Sequence, residues 1–136
     1  MKEPNWLRTD VVLALHERML AEHGGSSGVR EAGLLESALG RPPNLLAYGK
    51  PTLFDLASAY GCGIIKNHPF VDGNKRAGFL CAYVFLEING FEFIAEESDV
   101  VLKTLAVAAG ELTEAGFAVW LRENSRKIKS GRKKRI

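Results

Sequence analysis

"HPFVDGNKRAG", His68 to Gly78, decides how this chain is read. Pro69 pushes His68 out of the helical region, so the apolar run "LFDLASAYGCGIIKN" has to stop as a helix near Asn67. Asp72-Gly73-Asn74 is turn chemistry that leads into a second helix, and Lys75 and Arg76 fall in its first turn. Cationic side chains there oppose the positive end of the helix dipole, at about 0.3–1 kcal/mol each. A bound anion would compensate, because the free N–H groups of a helix start already form an anion site.

Working outward, the helix after the turn is expected over Asn74 to Ile88. Ala77, Leu80, Cys81, Val84, Phe85 and Ile88 recur at helical spacing, and Phe79, Tyr83 and Leu86 widen the stripe towards a central, mostly buried helix. Asn89-Gly90 ends it, and "FEFIA" follows as a short extended piece. Thr52 caps the helix before the motif. Further upstream, Thr9 or Asp10 caps "VVLALHERMLAEH", which Gly24-Gly25 closes. "REAGLLESALG" is a short helix with Leu34, Leu35, Ala38 and Leu39 on one stripe, stopped by Gly40 and Pro42-Pro43. "RPPNLLAYGKP" is then too proline-rich to be helical. Downstream, Ser98 or Asp99 caps "VVLKTLAVAAGE", and a last helix starts near Thr113. The fold class is mostly α, a compact helical domain.

Composition bounds the rest. At 136 residues, 46% hydrophobic and 25% charged, the chain is one ordinary globular domain with enough apolar surface for a core. "MKEPNWLRTDVV" lacks the apolar region of a secretion signal, and "AGFLCAYVFL" is too short to cross a bilayer, so no membrane association is expected. Cys62 and Cys81 lie in helix-like apolar stretches, as buried reduced thiols of a cytoplasmic protein would. The net charge of +2 hides an asymmetry: residues 126–136 carry seven of the 18 basic side chains and no acid. The remaining eleven basic and 16 acidic groups give the body a net −5. The organisation is therefore a domain over 1–122 and a basic tail over 123–136. Such a tail is solvated, or makes weak, non-specific contact with nucleic acid.

Chemistry concentrates at the helix junction. His68 can take a proton from a hydroxyl near neutral pH, Asp72 offers a hard oxygen ligand for Mg2+, and Lys75 and Arg76 add charge to an anion site. Phosphoryl transfer needs little more than these parts. Each piece also has a structural reading, as a good turn, a satisfied polar group or a solvated face. The conjunction is what is specific. Other signals fail: "HERML" lacks the second histidine of a zinc site because Leu20 stands there, so His16 and His23 are expected at the surface, and no Walker-type loop occurs.

"HPFVDGNKR" resembles the signature of the Fic/Doc family, and "ALHERMLAEHGG", the second helix and the overall length are similar to its compact Doc (death-on-curing) branch. The resemblance covers about residues 9–122. It implies His68 as general base, Asp72 as the Mg2+ ligand, Gly73 and Asn74 framing an anion hole, Arg76 on phosphate, and loop 42–51 as a flap that receives a target segment. Lys75 stands where adenylyltransferases of the family have Gly, and Phe79 where they often have a second Arg. Both departures are those of the Doc branch. The resemblance therefore implies a toxin of a toxin–antitoxin pair, transferring phosphate from ATP to a hydroxyl of a protein target, elongation factor Tu, and blocking translation. An adenylyltransferase and a non-catalytic binding module are the alternatives. Ser27 to Glu31 fits only part of the inhibitory Ser/Thr-x3-Glu-Gly/Asn helix of self-restrained members. Restraint would then come from a separate antitoxin chain.

Overall fold

The structure, a computed structural model, describes residues 2–129. Its elements are α1 (Thr9–His23), α2 (Ala32–Tyr48), α3 (Leu53–Asn67), α4 (Asn74–Ile88), β1 (Phe91–Phe93), α5 (Glu97–Ala108), α6 (Glu114–Glu123) and β2 (Ser125–Lys127). The mostly helical expectation holds, and α4 spans the residues its flanking turns dictate.

The centre is the α3–α4 pair. Every residue from Leu56 to Ile65 in α3 is buried, so the apolar run has no solvent face. The two helices approach closely because glycines meet at the crossing. A Cβ on Gly78 would stand 2.8 Å from the Gly61 carbonyl oxygen and 2.7 Å from Ile65. Tyr60, Phe70, Phe85 and Phe117 fill the core around them. The Tyr60 hydroxyl accepts the Leu7 N–H at 3.1 Å, and burial pushes its phenol up to about 12. Cys62 and Cys81 are free, buried thiols; burial raises both, Cys81 to about 12, which leaves them chemically quiet.

Helix starts follow local chemistry in two places and depart from it in two. Thr52 and Asp55 form a reciprocal capping box on α3, and the Thr113 hydroxyl accepts the Gly116 N–H at 3.0 Å on α6. By contrast, α1 starts one residue early. Arg8 is its cap residue, while Thr9 and Asp10 lie inside the first turn. Glu96, and neither Ser98 nor Asp99, precedes α5. Asp99 is taken up instead by tertiary contacts, accepting from Trp120 Nε1 at 2.7 Å and Lys103 Nζ at 3.2 Å.

The largest correction is α2. It does not stop at Gly40 but runs through Pro42 and Pro43 to Tyr48. Each internal proline deletes a helix donor and costs about 3 kcal/mol. Offsetting this, Pro42 is fully buried and Leu46 packs on the core. Arg41 ties the segment down through the Ala59 carbonyl at 3.3 Å and the Glu114 carboxylate at 2.9 Å. The flap expected at 42–51 is thereby reduced to the connection 49–52, next to a Tyr48 that is 90% exposed.

The basic tail also begins differently. Ser125–Lys127 pairs antiparallel with β1, Phe91 opposite Lys127, and Arg126 Nε meets Glu92 at 2.7 Å. Residues 130–136 lie outside the described residues. No helix among the described residues is long and apolar enough to cross a membrane.

Candidate active site

The α3–α4 junction is a loop whose backbone is almost entirely committed. His68 is the one non-glycine residue with positive φ (φ 55°, ψ 52°) among those described, closing α3 through its N–H on the Ile64 carbonyl at 3.0 Å. Pro69 excluded it from the helical region, and it took the left-handed one, at about 1–2 kcal/mol. Arg30 holds it there, donating from Nε to the His68 carbonyl at 2.8 Å and from Nη2 to that of Asn67 at 3.1 Å. Backbone strain held in place by its surroundings is characteristic of functional positions.

Asn74 does not point into an anion hole. It is buried, and its amide clamps Phe70 on both sides, accepting the Phe70 N–H at 2.9 Å and donating to the Phe70 carbonyl at 3.0 Å. Gly73 is the cap residue of α4 in the left-handed region (φ 76°), where a Cβ would meet Met19 Cε at 2.5 Å. Asp72 is exposed, yet its carboxylate is oriented: Oδ1 accepts the Gly73 N–H at 2.8 Å and Oδ2 the Ser26 N–H at 3.2 Å. The remaining lone pairs are free for a cation.

His68, Asp72, Gly73, Asn74, Lys75 and Arg76 all line one cleft of about 740 Å3. The first turn of α4 opens into it, with Lys75 and Arg76 exposed. One wall is α1, through Arg18, Met19 and Glu22. Another wall is α5, where Val101 and Leu105 stand 45% and 48% exposed. Among the described residues no cluster of three His, Cys, Asp or Glu side chains could cage a metal alone. One oriented carboxylate beside an open helix start suits Mg2+, which is commonly held by one or two carboxylates together with substrate phosphates.

Sequence reasoning missed two contributors. The connection 24–31 straps the junction loop: Val71 donates to the Gly28 carbonyl at 3.0 Å, Val29 bridges Phe70, and Arg30 and Glu31 donate to the Pro69 carbonyl. These contacts span some forty residues of chain, beyond local pattern. His16, expected at the surface, is 2% exposed; its ring stacks on Phe70 at 3.8 Å and its Nε2 lies 2.8 Å from the Asp72 carbonyl. A signal was present, because His16 shares the helical stripe of Val12, Met19 and Leu20. His23 is exposed as expected.

The chain also matches known proteins. A family model described as the Fic/DOC family matches residues 6–86. The chain is 30% identical over 112 residues to a protein of Escherichia phage P1 named protein kinase doc, covering 82% of this chain and 88% of that one. It is 42% identical over 76 residues to a protein of Mycolicibacterium smegmatis named toxin Doc, covering 54% and 58%.

Proposed function

Because this chain belongs to the Fic/DOC family, we propose that it is a Doc-type toxin: an ATP-dependent kinase that phosphorylates a hydroxyl on a protein target, with a cognate antitoxin as its partner. The observation that carries this reading is the convergence, in one cleft, of an exposed His68, an oriented Asp72 carboxylate and the open first turn of α4. Elongation factor Tu is the target the family resemblance implies, with arrested translation as the consequence.

In this reading the phosphates lie against the first turn of α4, where free amides and the side chains of Lys75 and Arg76 supply positive charge. His68 takes the proton of the attacking hydroxyl at a ring nitrogen as the oxygen bonds to phosphorus and ADP departs. Asp72 would hold Mg2+, which supplies neutralisation of phosphate charge when bound. The tethered loop keeps base and carboxylate in fixed relation, so positioning is in place before substrate arrives.

Lys75 favours phosphate transfer over the alternative, AMP transfer. A side chain fills the position where a glycine would let backbone approach a diphosphate, so the nucleotide has to present its phosphates differently. The phage relative named a kinase supports the same direction. The test is incubation of protein and target with ATP labelled at either the γ- or the α-phosphate. Label from the γ-position is the expected result; label only from the α-position overturns the kinase reading in favour of an adenylyltransferase.

A further inference from the structure

We infer that His16 is a positioning residue for the reaction proposed above, acting on the site through the Asp72 peptide and the Phe70 ring; the inference rests on that reading for its kinetic part. A carbonyl oxygen only accepts, so Nε2 of His16 carries the hydrogen in its 2.8 Å bond to Asp72. Below it, the ring lies nearly parallel to Phe70, at 9° and a centroid distance of 3.8 Å. His16 is thus a flat apolar face with a donor at its tip, buried in the middle of α1 where a polar group needs a reason to be.

The bond matters because of what is covalently joined to that carbonyl. Fixing the Asp72 oxygen fixes the plane of the 72–73 peptide, and therefore the direction of the Gly73 N–H that meets Asp72 Oδ1. Gly73, the next residue, is left-handed (φ 76°) and caps α4. Asn74, Arg30 and Gly28 hold the neighbouring residues of the loop, but among the described residues His16 alone grips the Asp72 main chain. Without it the carboxylate keeps its chemistry and loses its aim.

Two variants separate donor from ring. His16→Phe keeps the stack and removes the donor, while His16→Gln can place an amide N–H where Nε2–H stands. Two readouts are taken: exchange of the Gly73 amide by NMR on the free protein, and kcat and KM of transfer. His16→Phe is expected to exchange Gly73 faster by about tenfold and to lose roughly 10–100-fold in kcat at unchanged target KM, the scale of a misplacement near 1 Å. His16→Gln is expected to restore both. Should His16→Phe not fold, His16→Asn, whose amide falls short of Asp72, replaces it. Native kcat and native Gly73 exchange in a folded donor-less variant overturn the inference, as does a folded His16→Gln that rescues neither. If the native protein transfers no phosphate, the kinase reading falls while Gly73 exchange still decides the role of His16.

Discussion

The loop at one end of the cleft and the α5 wall beside it are built on opposite terms. Between His68 and Gly73 the backbone is committed almost atom by atom: to Ile64 and Arg30 at His68, to Arg30 and Glu31 at Pro69, to Asn74 at Phe70, to Gly28 at Val71, to His16 at Asp72. Along α5 the cleft is bounded mainly by apolar side chains, and Val101 and Leu105 stand 45% and 48% exposed. Directional bonds fix a geometry to fractions of an ångström, whereas apolar contact tolerates repacking. The first kind of wall suits the reacting groups of the proposed transfer, and the second a surface that accommodates what enters.

The contrast can be broken most directly at His68. His68→Ala should reduce transfer by about 10²–10⁴-fold, the usual worth of a general base, and relieve growth arrest while the protein stays folded. Its side chain is exposed, so thermal unfolding of the soluble variant should be close to native. Undiminished toxicity would remove His68 from the chemistry. Next in size, Lys75→Gly should lose phosphate transfer, with α-phosphate label appearing on the target; retained γ-transfer would show that Lys75 does not set the nucleotide's orientation.

Gly73→Ala sharpens the same contrast through stability. A Cβ at φ 76° is strained and 2.5 Å from Met19 Cε. A loss of about 1–3 kcal/mol in chemical denaturation is expected from the backbone strain and displaced Met19.

How far these features could be read from the sequence follows from how local their causes are. The turn residues around α4 and the Thr-x-x-Asp box before α3 act within a few positions, so those boundaries were legible. The course of α2 was not, because burial of Pro42 and the Arg41 ion pair override a local penalty, and both depend on helices far along the chain. At the site, the residues of the contiguous motif fall in one cleft. The motif did not show that the Asn74 side-chain amide serves the loop, and could not reveal His16 or the 24–31 strap, which reach the motif only in three dimensions.

The α5 wall should answer more weakly to change. Asp99 anchors it, and hydrogen bonds from Trp120 and then Lys103 hold its carboxyl below the usual aspartate value of 3.8. A folded pKa below the unfolded one gives stability that is complete above 3.8 and lost as pH falls through the folded value. Unfolding midpoints of the native protein and Trp120→Phe, each compared between pH 6 and acid conditions (roughly pH 3), should show a smaller acid-induced drop in the variant. An equal drop would detach Asp99 from the effect. Smallest of all, Leu102→Ser on the exposed face should shift stability by no more than about 0.5 kcal/mol and leave kcat unchanged. A larger loss in denaturation would mean this face is packed after all.

The left-handed backbone at His68 has one more consequence, for inheritance rather than chemistry. Most inactivating mutations in an enzyme also threaten its folding, so defective copies are cleared. If His68 is the base proposed above, glycine or asparagine would relieve strain at position 68 at the same time as it removes that base. A silenced allele would be born well folded. It would remain abundant in the cell and could still occupy the antitoxin proposed above, so disarmed copies of this gene would persist and compete with intact ones instead of vanishing.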